Sequence, residues 1–253
     1  MALTIASEII SNHPVLTGAM AIAAIGGVAA GYSVLYSGSQ IIAPVEKRIP
    51  RTDAVALTFD DGPTPGFTDR ILDILAQHQA HASFFLIGSH AAARPELVRR
   101  MIAEGHTIGN HTWDHHHHGA WHGEAYWRDQ LQRTSCALAD ATGRVPALFR
   151  APMGFKTPPQ ARAVSGESMR YIAWRVRAWD TLQISPRTIC RIVTAQLRPG
   201  DIVTLHDGLE PARRHCSQES TVRALPEILK ILANRGLTSV SLEQGLAEPV
   251  YQV

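Results

Sequence analysis

Short apolar runs that end in charged or histidine residues recur along this chain of 253 residues, and they alternate with stretches of helical periodicity. Such alternation predicts parallel α/β architecture, open or closed, because each strand returns to the sheet through a helix. Asp60, Asp61, His111, Arg150 and His206 each stand at or just past the end of such a run. In a parallel barrel the carboxyl ends of the strands share one face, and that face carries the site. We therefore expect these five residues to meet.

The predicted elements follow from apolar spacing and from proline and glycine boundaries. Strands are expected over residues 54–57, 82–87, 107–109, 147–149, 171–176, 202–205 and 237–240. Helices are expected over residues 67–79, 95–104, 123–141, 186–197 and 224–234, with Ser185 as the cap of the fourth. Together these elements predict one domain over residues 53–253.

The N-terminal residues 1–43 are predicted to form a separate segment, joined to the domain by a linker over residues 44–52. Residues 15–36 carry no charge, and these 22 positions approach the ~20 that are needed to span a bilayer. No basic residue precedes the run, which argues against a cleavable signal peptide. We interpret the segment as a single-pass membrane anchor, with a buried helix or hairpin as the alternative. The side of the membrane that the domain occupies stays open.

Composition excludes several classes of protein. A formal net charge of +2 gives no indication of nucleic acid or of an acidic polymer as a partner. The three cysteines are odd in number and lack C-x-x-C spacing, which excludes a disulfide framework and a zinc knuckle. Of the 13 histidines, five lie between His111 and His118. We interpret residues 116–118 as a solvated run, whereas His111 and His115 follow a strand end.

Asp60 and Asp61 are adjacent carboxylates at the end of a buried strand, where they repel each other unless each has a partner. A metal ion on one and a cation on the other would remove the conflict. His111 and His115 are four residues apart, so on a helical turn their imidazoles would point the same way and could share that metal. Two histidines and one aspartate leave room for water, as a catalytic metal site requires. Zinc is the first choice, with cobalt or manganese as alternatives.

A permanent cation and a titratable imidazole complete the predicted site. Arg150 stands at a strand end, where it could keep a carboxylate such as Asp60 ionised and oriented. His206 titrates near neutrality and could protonate a leaving group. Taken singly, an ordinary surface arginine and a structural histidine are the alternatives.

Four motifs follow one another along the chain: Thr58-Phe59-Asp60-Asp61-Gly62, His111-Thr112-x-x-His115, Arg150-x-Pro152-x-Gly154 and Leu205-His206-Asp207. In this order they resemble the motifs of the NodB-homology polysaccharide deacetylases, carbohydrate esterase family 4. The resemblance covers about residues 53–242 and implies a distorted (β/α) TIM-like barrel. It also implies metal-dependent hydrolysis of N-acetyl, or O-acetyl, groups on a glycan such as peptidoglycan or a chitin-like polymer.

The resemblance implies a role for each residue of the base and metal half of the site. Asp60 is expected to be the general base, oriented by Arg150. The metal ligands are expected to be Asp61, His111 and His115.

For the acid and substrate half, the resemblance implies that His206 is the general acid, with Asp180 or Asp207 beside it. Met153, through its backbone N–H, and Leu205 are the expected substrate contacts. Two departures from the family pattern bear on substrate preference. Met153 replaces the usual aromatic residue, and Thr181 stands where tryptophan is common, with Trp179 on the other side of Asp180.

Two other functions remain as alternatives. One is an amide hydrolase on the same scaffold that acts on a non-sugar N-acyl or cyclic amide substrate. The other is a membrane-anchored, non-catalytic glycan-binding domain. Asp60 beside Asp61 argues against the second alternative, since a binding module has no need for that pair.

Overall fold

The computed structural model describes residues 31–252 except 33, 35, 117, 118, 120 and 211–215. The strands are β1 Val45–Glu46, β2 Ala54–Asp60, β3 Ser83–Leu86, β4 Thr107–Asn110, β5 Leu148–Phe149, β6 Arg170–Ile172, β7 Val176–Arg177, β8 Ile202–His206 and β9 Thr238–Ser239. The helices are α1 Thr68–Gln77, α2 Gly88–Ala93, α3 Pro95–Ala103, α4 Glu124–Thr142, α5 Pro158–Gly166, α6 Pro186–Gln196, α7 Glu219–Asn234 and α8 Leu242–Gly245. Short 3-10 turns cover Pro152–Gly154 and Asp180–Leu182.

The strands form one parallel sheet in the order β1-β6-β5-β4-β3-β2-β8-β7, with β9 paired to the start of β2. The sheet curls on itself at its base, because the Ile202 N–H of β8 donates to the carbonyl of Lys47, just after β1, at 3.3 Å. The predicted parallel α/β architecture is confirmed as a curled half-barrel. The stretch 44–52, predicted as a linker, contains β1.

Strand β2 shows why its last residue faces the interior of the barrel. Successive side chains of a strand point to opposite faces. The outward residues pack in the main hydrophobic core, against helices α1, α6 and α7: Val55, Leu57 and Phe59. The inward residues begin with two alanines in the barrel interior and end with two polar side chains: Ala54, Ala56, Thr58 and Asp60. Asp60 therefore lies at the mouth of the barrel, above Thr58.

Strand β8 repeats this alternation beside β2. Thr204 pairs with Thr58, and His206 pairs with Asp60, in register. Leu205, between them, points to the opposite face and is fully buried in the main hydrophobic core. The two strands therefore present matching polar positions at the same depth of the barrel.

The predicted membrane-spanning segment over residues 15–36 is not found among the described residues. Of residues 15–36, the structure describes only Gly31, Tyr32, Val34 and Tyr36, so most of the predicted span lies outside the described residues. Within the described ranges, no helix combines the length and the apolar character that crossing a bilayer requires. On the described residues, the prediction of a single-pass membrane anchor is therefore wrong.

Candidate active site

The carboxyl ends of β2, β4, β5 and β8 meet at one mouth of the half-barrel and enclose a cleft of about 90 Å³. Asp60 and His206 end β2 and β8, whereas His111 and Arg150 directly follow β4 and β5. The cleft is lined by Asp60, Asp61, His111, His115, Ala151, Met153, Trp174, Arg177, Thr181, Thr204, His206 and Glu210.

Asp61 forms a compact cluster with His111 and His115. Its Oδ1 atom lies 3.4 Å from the Nε2 atom of each histidine. All three side chains are buried, and their candidate ligand atoms lie within 4.8 Å of one another. Asp61 Oδ1 is buried and has no hydrogen-bond partner among the described residues. A divalent cation between these three atoms would satisfy that oxygen, so the cluster fits the predicted metal site.

The electrostatics of Asp61 favour its charged form. Burial alone would raise the pKa of this carboxyl group. His115 and His111 outweigh that effect and hold the pKa of Asp61 below its ordinary value. The carboxylate is therefore ionised, as a metal ligand must be.

The segment from His111 to His115 is a loop, not the helical turn that the sequence predicts. Thr112 and His115 adopt left-handed backbone conformations, with φ of 68° and 52°. The Asn110 side chain accepts a hydrogen bond from the Thr112 N–H at 2.9 Å and stabilises this path. The reversal of the loop brings the two imidazole rings to 4.9 Å between centroids. The two rings face the same atom, Asp61 Oδ1, because of the loop geometry and not because of helical spacing.

In both His111 and His115, the ring nitrogen that points away from Asp61 has its own oxygen partner. The Nδ1 atom of His111 lies 2.8 Å from the carbonyl of Arg150. The Nδ1 atom of His115 lies 3.1 Å from Oε2 of Glu210. Such partners fix the ring orientation and leave each Nε2 atom facing Asp61, where a metal could bind. The sequence analysis missed Glu210. Its position in the loop directly after β8 could have indicated it, because that loop starts at the mouth of the barrel.

Arg150 is fully buried and holds Asp60 from below. Its guanidinium donates to Asp60 Oδ1 at 2.6 Å and to the Thr58 hydroxyl at 2.7 Å. It also lies 4.0 Å from the centroid of the Phe85 ring. Burial lowers the pKa of Arg150 below its ordinary value, and the opposing charge of Asp60 limits that decrease. The Thr204 hydroxyl donates to Asp60 Oδ2 at 3.1 Å, so both carboxylate oxygens are fixed.

His206 is paired with Asp180. Its Nδ1 atom lies 2.9 Å from Asp180 Oδ1, and its backbone N–H donates to Oδ2 at 2.8 Å. The Thr221 hydroxyl donates to the same Oδ2 at 2.8 Å. Burial opposes the charge of the imidazole, but Asp180 raises the pKa of His206 to about 9. The imidazole can therefore carry a donatable proton on Nε2 at neutral pH.

Asp207, the other expected partner of His206, points elsewhere. It accepts a hydrogen bond from the Thr68 hydroxyl at 2.5 Å. Its carboxylate packs against Gly62, where an added Cβ would lie 2.1 Å from Oδ2. Burial raises the pKa of Asp207 to about 7. Its role is to join the turns after β2 and β8.

The two expected substrate contacts differ in their placement. Met153 lines the cleft in a left-handed conformation with φ of 56°, and 44% of it is exposed. Leu205 is fully buried in the hydrophobic core, on the face of β8 opposite His206. Because adjacent strand residues alternate, its side chain cannot reach the cleft, which corrects the expectation that Leu205 contacts substrate.

Sequence comparisons bear on this geometry. A family model described as polysaccharide deacetylase matches residues 47–172. A chitooligosaccharide deacetylase of Bradyrhizobium sp. (strain ANU 289) is 37% identical over 203 residues, which cover 76% of this chain and 90% of that protein.

Solved structures are similar as well. A peptidoglycan N-acetylglucosamine deacetylase has a TM-score of 0.76 and 31% identity, covering 82% of this chain and 94% of that one. A pseudoenzyme of the CE4 family from Bacillus anthracis has a TM-score of 0.72 and 25% identity, covering 81% of this chain and 69% of that one. The same fold thus occurs in enzymes and in a pseudoenzyme, so any argument for activity must rest on the side chains at the mouth.

Proposed function

The chain belongs to the polysaccharide deacetylase family, and from that premise we propose that it removes N-acetyl groups from a glycan by metal-dependent hydrolysis. The resemblance seen in the four sequence motifs is thereby confirmed, and the chain is a carbohydrate deacetylase, a hydrolase. One observation carries the mechanism: a carboxylate held by an arginine and an imidazole held by an aspartate flank the Asp61, His111 and His115 cluster.

The proposed substrate is an N-acetylated oligosaccharide or polysaccharide of the chitin or peptidoglycan kind, with O-acetyl groups as a further possibility. The similar proteins support this class, since they include chitooligosaccharide and peptidoglycan N-acetylglucosamine deacetylases. The cleft of about 90 Å³ supports it too, because it has room for the acetylated end of a sugar unit and opens at the rim, where the rest of a glycan can lie.

Asp61, His111 and His115 would hold the metal, with zinc as the first choice and cobalt or manganese as alternatives. A divalent metal bound there supplies Lewis acidity toward the acetyl carbonyl and lowers the pKa of water. The protein contributes a buried, ionised carboxylate and two imidazoles whose outer nitrogens face Arg150 and Glu210.

Asp60 is the proposed general base. Its two oxygens are held by Arg150 and Thr204, so the carboxylate cannot rotate away from the water that it must deprotonate. Because Asp60 borders Asp61 at the mouth, the attacking water and the acyl carbon meet within one small cleft.

His206 is the proposed general acid. As the carbon–nitrogen bond breaks, its imidazolium gives a proton to the departing amine, and the products are acetate and a free amino sugar. Asp180 keeps the imidazole protonated and fixes its orientation. The backbone N–H of Met153, on the cleft wall, is the proposed donor to the oxyanion.

The first experiment measures acetate release from N-acetylglucosamine oligomers by the full chain, with chelator and then with zinc added back. Release that chelator abolishes and zinc restores supports the proposal. No release from a protein that binds zinc would contradict the sugar substrate, and a panel of small N-acyl and cyclic amides then tests the other substrate class. No release and no zinc binding would contradict the mechanism.

A further inference from the structure

Guanidinium groups and indole rings alternate from the interior of the barrel to the rim of the cleft. The guanidinium carbon of Arg150 lies 5.7 Å from the centroid of the Trp174 ring. The guanidinium carbon of Arg177 lies 5.8 Å from the same ring and 4.4 Å from the ring of Trp179. Arg150 is fully buried, whereas 44% of Trp179 is exposed. Through this series of contacts, Arg150, which orients Asp60, is connected to Trp179 on the outer surface.

Trp179 is held in an unusual backbone conformation. Its φ of 58° and ψ of 23° lie in the left-handed region, which bulky side chains rarely adopt. Such strain persists only where the surroundings fix it, and it is concentrated at ligand contacts and active sites. The next residue, Asp180, is the partner of His206. The same strained turn therefore carries Asp180, the partner of the proposed acid, and the exposed indole of Trp179.

Two exposed apolar side chains belong to this turn, and a third lines the cleft beside it. Trp179 and Leu182 are exposed by 44% and 57%, and Met153 lies on the wall of the same cleft. Exposed apolar groups that adjoin a polar site mark a binding surface. Among the described residues the large apolar side chains with substantial exposure are Tyr32, Tyr36, Ile41, Trp121, Met153, Trp179 and Leu182.

A sugar ring is the ligand that these features fit. The cleft of about 90 Å³ can take the reacting unit of a glycan at most, so the units next to it must lie on the rim. An indole ring offers a rigid apolar face for the C–H face of a pyranose, and its ordering costs little entropy. The neighbouring Arg177 lines the cleft and packs on the Trp179 ring, which limits the movement of that ring.

We propose that Trp179 is a stacking platform for the sugar unit next to the one that is deacetylated. The platform makes the enzyme select oligomers over the monosaccharide. This inference rests on the proposed function, and it assigns a residue of this chain to the second sugar unit of the proposed oligosaccharide substrate.

The test compares wild-type protein with Trp179→Ala and Trp179→Phe on the β-1,4-linked tetramer and on the monomer of N-acetylglucosamine. We expect Trp179→Ala to lower the tetramer-to-monomer ratio of kcat/KM by about three- to tenfold, mainly through the KM of the tetramer. Trp179→Phe retains a ring and should keep most of the ratio. Trp121→Ala removes an indole that is 88% exposed on another loop and should leave the ratio unchanged. An unchanged ratio in Trp179→Ala would overturn the platform.

A binding measurement separates this inference from the proposed function. The tetramer is titrated calorimetrically into zinc-loaded Asp60→Asn protein, with and without Trp179→Ala. Weaker tetramer binding in the double variant supports the platform even if the wild-type protein releases no acetate, an outcome that would contradict only the proposed function. Equal binding, or no binding by either protein, overturns the platform.

Discussion

Asp60 is the residue on which the proposed chemistry depends most, because Arg150 and Thr204 hold its two oxygens at 2.6 and 3.1 Å. Asp60→Asn keeps the size of the side chain but removes the base. Acetate release should fall by about 10²–10⁴, while the zinc content stays the same because the proposed ligands are untouched. Steady-state kinetics and metal analysis check both expectations. Thr204→Val removes the hydrogen bond to Asp60 Oδ2 and the longer one from Arg150 but leaves the base in place, so it should lower the rate less. Near-normal activity of Asp60→Asn would contradict its assignment as base.

His206 gives a prediction about pH. Asp180 raises the pKa of His206 to about 9 against the effect of burial, so the protonated acid is present at neutral pH and is lost as the pH rises through that value. Asp180→Asn removes the charge that favours the imidazolium and lowers this pKa. The alkaline limb of the kcat/KM profile should therefore move toward neutral pH by about one unit or more. An unshifted limb would exclude His206 as the acid.

Much of the site could be predicted from the sequence at the level of single residues. Asp60, His111, Arg150 and His206 were predictable together, because each closes an apolar run and parallel strands end at one face. The motif alone did not show that, of the three adjacent residues Leu205, His206 and Asp207, only His206 lines the cleft. The pleat of β8 sends Leu205 into the core, and the turn that follows carries Asp207 to Thr68.

Between elements, the loops after β4 and β8 meet through His115 and Glu210, 3.1 Å apart. Glu210→Gln keeps the shape of the side chain but removes the charge that orients the imidazole. Zinc affinity should fall by about 10- to 100-fold, as measured by competition with a chelator. Glu219→Gln, at an exposed position on α7, is the control and should retain wild-type affinity. Unchanged affinity of Glu210→Gln would show that the orientation of His115 does not depend on this contact.

Elements with clear apolar spacing were predictable, and those set by tertiary contacts were not. Ser185 caps α6 as expected, with its hydroxyl accepting from the Thr188 N–H at 3.2 Å. Helix α2 was missed because its six residues are small and show little apolar spacing. The strand expected over residues 171–176 is divided into β6 and β7, since this stretch bonds first to Glu46 and then to Ile202. Such a change of partner has no local signal.

At the scale of the whole molecule, the two ends of the barrel carry different kinds of buried polar group. His106 lies at the amino end of β4, away from the mouth, and is 2% exposed. Its Nδ1 atom accepts from the Ala82 N–H at 3.1 Å, so the uncharged ring is part of the fold. Its Nε2 atom is buried without a hydrogen-bond partner among the described residues, 3.9 Å from Glu104 Oε2. Burial, with smaller effects of His81 and Arg100, lowers the pKa of His106 to about 4.

This buried imidazole predicts a loss of stability in mild acid. Between pH 6.5 and about 4 the unfolded chain binds a proton at His106 that the folded chain excludes, so the free energy of unfolding falls as the pH falls. From pH 7 to pH 5 this group should contribute a loss of about 2 kcal/mol. His106→Asn keeps an acceptor for Ala82 but cannot titrate, so urea unfolding at the two pH values should show a correspondingly smaller loss. His78→Asn, at an exposed position, should retain the wild-type loss. Equal losses in His106→Asn and wild-type protein would show that folding does not lower the pKa of His106.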